Sequence, residues 1–219
     1  MKFSHLTFDC YGTLIDWRAG IELNLGGLLR EKGLASEVRL FPIYLKAEAD
    51  EEGKYKSYRE VLRDVAMKVA ENLGTPISEG QASSFAASVP RWPAFSDTVE
   101  TMKELGKRGY KRIILSNVDR DILRETILRS GLDVDGYITA QDVGSYKPST
   151  AHWKKFFDDY QASEQRTLHV ACSIYHDIVP ASKLGITNAW INRYSETKPV
   201  DVNPSYVFGD LKEILKILA

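Results

Sequence analysis

The sequence predicts an α/β fold in which a doubly wound parallel sheet carries an inserted helical domain. Short apolar runs recur along the chain and alternate with segments of helical periodicity, which is typical of parallel sheets. After the first run, roughly seventy residues show helical periodicity and no strand signal. A chain of 219 residues, 43% of them hydrophobic and 27% charged, is long enough for a core domain with a smaller insertion.

The apolar runs give the expected strands, and the segments between them give the expected helices. We expect strands at His5–Asp9, Arg112–Asn117, Tyr137–Thr139, Leu168–Ser173, Asn188–Asn192 and Tyr206–Phe208. We expect helices at Ser96–Arg108, Asp119–Arg129 and Asp177–Leu184, each followed by a glycine that can end a helix. Ligands of such sheets bind at the carboxyl ends of the strands. The polar residues Asp9, Ser116, Asn117 and Ser173 are therefore expected at one edge.

The stretch between the first two strands has the pattern of a separate helical unit. Ile21, Leu25, Leu28 and Leu29 form an apolar helical stripe, and similar stripes continue to a break at Gly74-Thr75-Pro76. The predicted organisation is a core domain of residues 1–15 and 91–219 with a helical cap of residues 16–90. The charged run 48–52 is interpreted as a solvated helix end.

Composition narrows the class of protein and of partner. The formal net charge of −1 gives no electrostatic reason to expect nucleic acid or a membrane surface as partner. No long apolar run precedes Asp9, so no secretory signal is expected. The two cysteines, Cys10 and Cys172, are interpreted as small buried thiols, and the predicted location is the cytoplasm. Whether the protein forms a homodimer is left open.

One heptad, Phe8 to Leu14, carries the strongest functional signal. Asp9 ends the first apolar run and is followed by Tyr11, Gly12 and Thr13. An aspartate at this place often only caps a turn. The turn at Gly12, however, allows backbone N–H groups to converge around the carboxylate, which favours a nucleophile.

Three later positions add to this signal, each with a structural alternative. Ser116-Asn117 ends a strand and could be an ordinary turn. Lys147 precedes Pro148 and could be a surface loop residue. Asp177 opens a helix and could be a simple N-cap, and the neighbouring His176 is interpreted as structural. The remaining histidines lack metal-ligand spacing and are also interpreted as structural, namely His5, His152 and His169.

In order and spacing these segments resemble motifs I to IV of the haloacid dehalogenase superfamily, whose core is Rossmann-like. The segment Asn188–Arg193 is similar to the strand after motif IV in type II L-2-haloacid dehalogenases. The resemblance implies that Asp9 is the nucleophile, that Lys147 keeps the carboxylates ionised, and that Asp177 orients Lys147 or the hydrolytic water. It also implies a set of substrate-binding residues, namely Tyr11, Gly12, Thr13, Ser116, Asn117 and Ser173.

Differences from the superfamily pattern bear on the metal and on the leaving-group pocket. Tyr11 and Ser173 stand where phosphatase members usually carry acidic groups, and a phenol and a hydroxyl suit Mg²⁺ poorly. No metal and no cofactor are therefore expected. The dehalogenases usually place an arginine on the cap to receive the halide, but Phe41–Lys46 has none. The residues expected to line a leaving-group pocket are Tyr44, Lys46, Trp92 and Trp153.

The predicted function is metal-independent hydrolysis of short 2-haloalkanoic acids through an aspartyl ester, giving a 2-hydroxy acid and halide. A magnesium-dependent phosphatase or phosphonate hydrolase is the first alternative. The second is a catalytically silent protein that binds a small anion. Ring opening of a strained cyclic amino acid would use the same ester chemistry, and the sequence does not distinguish it from dehalogenation.

Overall fold

The computed structural model describes residues 2–218 and contains a six-stranded sheet in which all paired strands are parallel. The strands are β1 His5–Phe8, β2 Lys111–Ser116, β3 Gly136–Thr139, β4 Thr167–Ala171, β5 Thr187–Ile191 and β6 Tyr206–Phe208. Each coincides with one of the predicted strands to within two residues. The predicted α/β class with a parallel sheet is confirmed.

The strand order β3-β2-β1-β4-β5-β6 places β1 at the centre of the sheet, between β2 and β4. Leu6 and Phe8 of β1 are fully buried, as expected for a central parallel strand covered on both faces. The direction of strand addition reverses between β1 and β4, and ligands of open α/β sheets bind at such a switch point. The loops after these two strands carry Asp9 and Asp177.

From Trp17 to Arg91, in the first part of the connection between β1 and β2, the chain forms helices. They are α1 Trp17–Ile21, α2 Gly27–Glu31, α3 Leu40–Glu51, α4 Tyr58–Asn72 and α5 Glu79–Ala86, with a π-helical segment Glu22–Gly26 joining the first two and a 3₁₀ turn Val89–Arg91 at the end. α4 begins with a capping box formed by Ser57 and Glu60. We call residues 16–90 the helical insertion.

The two ends of the helical insertion lie side by side. The amide of Asp16 donates to the carbonyl of Pro93 over 2.8 Å, and the amide of Phe95 donates to Leu14 over 3.1 Å. Ile15 and Ala94 form an antiparallel bridge between these hydrogen bonds. The chain therefore leaves and re-enters the sheet region at adjacent positions. The division into two domains remains a prediction.

The helices that accompany the later strands are α6 Thr98–Lys107, α7 Arg120–Ser130, α8 Ala140–Val143, α9 Ala151–Tyr160 and α10 Val179–Lys183. A π-helical segment, Ile174–Ile178, precedes α10, and 3₁₀ turns occur at Glu164–Arg166 and Leu211–Lys216. The predicted helix Asp177–Leu184 is thus replaced by a π-helical turn and a short α-helix. That turn places Asp177 inside a helical segment, where the sequence predicted a helix start.

The two larger of three buried clusters among the described residues take up alternate side chains of the sheet. Ile114 belongs to the larger one, which extends into the helical insertion, whereas Ile113 and Leu115 belong to a smaller one with Trp153 and Phe156. This split follows from the alternation of side chains along a strand. Within residues 2–218, no helix has both the length and the apolarity that crossing a bilayer requires.

Candidate active site

Lys147 lies between two carboxylates at the carboxyl ends of three strands. Its Nζ donates to Asp9 Oδ1 over 2.9 Å, to Asp177 Oδ1 over 2.7 Å and to the carbonyl of Leu115 over 3.0 Å. Burial lowers the pKa of Lys147, but the carboxylates of Asp177 and Asp9 outweigh that effect and raise the pKa above its ordinary value. Lys147 is therefore a permanent cation with all three ammonium protons engaged.

Asp9 follows β1, and each of its oxygens has a partner. Lys147 donates to Oδ1, and the hydroxyl of Thr13 donates to Oδ2 over 2.7 Å. Because the Thr13 oxygen also accepts the amide of Cys172 over 2.8 Å, its proton is directed to Asp9. Burial raises the pKa of Asp9 above 3.8, and the attraction of Lys147 and the Thr13 hydrogen bond offset this only in part. The arrangement holds a carboxylate at the base of a cavity.

Asp177 is the second carboxylate, and it is hydrogen-bonded to a buried histidine. His169 on β4 has its Nε2 3.1 Å from Asp177 Oδ1 and its Nδ1 2.9 Å from the hydroxyl of Thr7. Since a carboxylate can only accept, Nε2 carries the proton. Burial raises the pKa of Asp177, but Lys147 and His169 outweigh it, and the pKa is lowered to about 2. Oδ2 of Asp177 is buried and has no hydrogen-bond partner among the described residues.

His169 was interpreted from sequence as structural, and its link to the acidic centre was missed. A usable signal existed, because a polar side chain in the middle of a fully buried central strand has to be satisfied by a specific partner.

Asn117 fixes the loop that carries Lys147. Its Oδ1 accepts the backbone amide of Lys147 over 2.7 Å, and its Nδ2 donates to the carbonyl of the same residue over 3.2 Å. Nδ2 also lies 3.4 Å from Glu52 Oε1 on the linker after α3. Ser116 lines the cavity with Asn117, and the Ser116 carbonyl accepts from His152 Nε2 over 3.1 Å. Both residues of the predicted second motif are thus at the site.

The turn after Asp9 depends on the conformation of Gly12. Gly12 has φ +96°, and a Cβ there would lie 2.6 Å from Cys172 Sγ, so only glycine fits. Its amide donates to the carbonyl of Ile15 over 2.7 Å. A turn hydrogen bond thus already uses the Gly12 amide, and the contribution of this turn to substrate binding remains a prediction.

Tyr11 and Ser173 also line the cavity, and their polar groups have protein partners. The Tyr11 hydroxyl lies 2.7 Å from Thr126 Oγ1, and its ring packs edge-on against Trp92. Ser173 caps the π-helical turn by accepting the amide of His176 over 3.0 Å. Both side chains therefore shape the cavity wall.

The residues expected to form a leaving-group pocket lie elsewhere, so this part of the prediction is wrong about position. Trp153 is fully buried in the smaller cluster with its ring against His169, and Tyr44 is buried against Phe85. Lys46 is exposed, and Trp92 donates its indole N–H to Ser88. None of the four lines the cavity. Side-chain direction at these positions depends on how the helices pack, which spacing alone does not specify.

The cavity has a volume of about 310 Å³ and extends from Asp9 to the helical insertion. Several of its lining side chains were not selected from the sequence, namely Trp17, Arg18, Phe41, Leu45, Glu48, Glu52, Tyr58, His176 and Tyr194. Phe41, Leu45, Glu48 and Glu52 follow helical spacing on and just after α3 and present one face. The interpretation of the run 48–52 as a solvated helix end is wrong for Glu48, which is only 5% exposed.

Arg18 supplies a cation to the cavity from α1. Its guanidinium stacks on Phe41 and Tyr194, with centroid distances of 4.3 and 3.4 Å, and pairs with Glu196 over 2.5 Å. The Nε–H of Arg18 is buried and has no hydrogen-bond partner among the described residues. A stacked guanidinium with an unused donor suits an anionic group. Arg18 was not predicted at the site, because the resemblance to the dehalogenases pointed only to Phe41–Lys46.

The acidic centre is a poor fit for a magnesium ion. Lys147 already donates to Asp9 and to Asp177, and Ser173 is bonded to His176. Across residues 2–218 no group of three or more histidine, cysteine, aspartate or glutamate side chains is arranged to hold a metal ion. The oxygen-rich octahedral set that magnesium demands would need donors beyond these.

Comparison with known proteins shows the family to which this chain is related. The family model for haloacid dehalogenase-like hydrolases matches residues 3–185. The chain is 24% identical over 219 residues to (S)-2-haloacid dehalogenase from Pseudomonas sp. strain YL, covering 97% of this chain and 93% of that one. It is 22% identical over 205 residues to haloacetate dehalogenase H-2 from Moraxella sp. strain B, covering 88% and 87%.

A solved structure shows the same fold. L-2-haloacid dehalogenase from Xanthobacter autotrophicus superposes with a TM-score of 0.86 at 17% identity, covering 99% of this chain and 98% of that one. The family match spans most of the chain and includes Asp9, Lys147 and Asp177. The chain belongs to the haloacid dehalogenase-like hydrolase family.

Proposed function

We propose that this protein is a metal-independent dehalogenase that converts short 2-haloalkanoic acids to 2-hydroxy acids and halide. The observation that carries the proposal is the Asp9–Lys147–Asp177 centre, in which one ammonium holds two buried carboxylates at the base of a cavity. The likeness to named haloacid dehalogenases over most of the chain supports the same conclusion.

In the first step a carboxylate oxygen of Asp9 attacks C2 of the substrate in line with the halogen. The C–halogen bond breaks, the halide leaves with the bonding electrons, and an ester forms between Asp9 and C2. A halide needs no proton to leave, so a tyrosine at position 11 is no handicap. Thr13 and Lys147 hold the carboxylate in one orientation, which lowers the entropic cost of the attack.

The second step is hydrolysis of this ester at the Asp9 carbonyl. The free Oδ2 of Asp177 accepts a proton from water, and the resulting hydroxide adds to the carbonyl carbon. The acyl C–O bond then breaks, the departing alkoxide is protonated, and the 2-hydroxy acid leaves. One proton is released to solvent overall. The pKa of Asp177, about 2, keeps the side chain ionised at neutral pH, so that it is a proton acceptor at the start of this step.

The substrate carboxylate requires a cation that the reacting groups do not supply. Lys147 is fully engaged, so we assign this task to Arg18, together with Ser116, which also lines the cavity. The aromatic side chains of Trp17, Phe41 and Tyr194 narrow the cavity and reduce its water content. A drier cavity strengthens the attraction between Arg18 and a carboxylate.

Halide release from chloroacetate and L-2-chloropropionate by chelator-treated protein tests the proposal. We expect release from the native chain and none from Asp9→Asn. A single turnover in ¹⁸O-water should place the label in Asp9 rather than in the hydroxy acid, because the product oxygen comes from the carboxylate. Label found first in the product, or phosphate release that depends on added Mg²⁺ with no halide release, would overturn the assignment.

A further inference from the structure

The lining of the cavity contains more carboxylates than dehalogenation of a simple haloacid requires. The lining includes three permanent cations and five carboxylates, namely Arg18, Lys147 and Arg193, and Asp9, Glu48, Glu52, Asp177 and Glu196. A substrate that is only an anion would enter a cavity with an excess of negative charge. Like charges at short range in a partly buried site repel strongly.

Most of these charges are paired, and Glu48 is the exception. Lys147 is shared by Asp9 and Asp177, Arg18 pairs with Glu196, and Glu52 Oε2 lies 3.4 Å from His176 Nε2. Glu48 accepts a hydrogen bond from the phenol of Tyr58 over 2.6 Å, but no ion pair to it occurs among the described residues.

An unpaired buried carboxylate is costly, and it responds by taking a proton or by finding a cation. Burial, followed by the nearby Glu52 carboxylate, raises the pKa of Glu48 to about 7. Its other neighbours are the phenols of Tyr44 and Tyr58 and the imidazole of His176. At neutral pH the side chain is therefore poised between the two forms, and a cation brought by a ligand would favour the ionised one.

We propose that the substrate of this site carries a protonated amine, which binds at the carboxylates of Glu48 and Glu52 while its carboxylate binds near Arg18. The substrate class is then an amino-substituted 2-haloalkanoate. This inference rests on the proposed function for its reaction, which is unchanged, since the ammonium group stays intact and only the C–halogen bond breaks.

The first test measures binding without turnover, using 4-aminobutanoate and butanoate as a matched pair that differs only in the amine. Titration calorimetry on the native chain should show the amino acid binding roughly 10- to 100-fold tighter, as expected for a charge-assisted hydrogen bond. Glu48→Gln and Glu52→Gln should each reduce that ratio. Glu51→Gln is the control, because Glu51 pairs with Lys56 and does not line the cavity.

Proton release on binding is a second measurement, and a glutamate with only a structural role would not contribute to it. At pH 7, binding of 4-aminobutanoate should release a fraction of a proton, seen as a dependence of the binding heat on the ionisation heat of the buffer. Glu48→Gln should abolish that dependence. Equal affinity for the matched pair, or a ratio unchanged in Glu48→Gln, would overturn the inference.

Turnover separates failure of this inference from failure of the proposed function. Halide release is compared for 4-amino-2-chlorobutanoate and 2-chlorobutanoate, with a blank lacking protein to correct for spontaneous cyclisation. A higher kcat/KM for the amino compound supports the inference. Equal turnover of both overturns it and leaves dehalogenation intact. A preference in binding with no halide from either compound refutes dehalogenation and leaves the ammonium site standing.

Discussion

Replacing Asp177 by asparagine should divide the reaction into a first step that survives and a second step that stalls. Asparagine has nearly the same shape as aspartate. Its amide oxygen can therefore still accept the hydrogen bond that Lys147 Nζ donates to Asp177 Oδ1 over 2.7 Å in the native protein. Lys147 also keeps its bonds to Asp9 and to the Leu115 carbonyl. Removing the negative charge of Asp177 lowers the pKa of Asp9, because that charge raises it in the native protein. The nucleophile should therefore stay ionised and positioned.

The second step loses its base, because the amide NH₂ at the place of the unpaired Oδ2 cannot accept a proton from water. General base catalysis contributes about 10²- to 10⁴-fold, so ester hydrolysis should slow by that factor, or about 3–5 kcal/mol. Rapid-quench measurement with chloroacetate should show a burst of one halide per protein followed by slow turnover. Intact-protein mass spectrometry should show the carboxymethyl ester on Asp9.

A control variant that loses a different, partly buried ion pair tests whether loss of an ion pair alone explains the effect. Asp135 pairs with Arg112 over 2.9 Å and does not line the cavity, so Asp135→Asn should turn over normally. Each variant must still unfold cooperatively. If Asp177→Asn turns over at the native rate, or loses halide release without any burst or adduct, the assignment of Asp177 to ester hydrolysis is refuted.

Three further outcomes follow from the same geometry. Because the pKa of Glu48 is raised in the fold, ionisation of Glu48 destabilises the native chain as pH rises from 4.5 through about 7. The free energy of unfolding of Glu48→Gln, measured by urea titration, should therefore rise relative to that of the native chain over this range, by up to about 3 kcal/mol. An offset that does not change with pH would contradict this. Gly12→Ala should lower the free energy of unfolding by several kcal/mol and abolish halide release. Gly144 has φ +64° and open space around it, so Gly144→Ala should lower the free energy of unfolding by only about 1 kcal/mol in the same titration. Arg18→Met should raise KM for chloroacetate roughly 10- to 100-fold with a smaller effect on kcat, and an unchanged KM would remove Arg18 from substrate binding.

The elements of the sheet were predictable because they rest on local patterns. Each apolar run became a strand, and the polar residues after β1 and β2 lie at the edge where the cavity opens. Asp9 and Lys147 could also be selected from the sequence, because each stands in a short motif. The turn at Gly12 was predicted as a turn, but the partner of its amide was not, because that depends on how the chain folds back at Ile15.

The amino-acid sequence by itself determined which residues form the parallel sheet and which short motifs carry Asp9, Lys147 and Asp177, because both depend on residues that are close together in the sequence. Only the tertiary structure decided that Arg18, Glu48 and Glu52 lie in the cavity and that Trp153 lies on the other side of the sheet. The direction of a helix face depends on packing between segments distant in sequence, and so does the pairing of buried charges. For that reason the Asp9–Lys147–Asp177 centre was predictable from motifs, whereas the side chains that line the rest of the cavity were not.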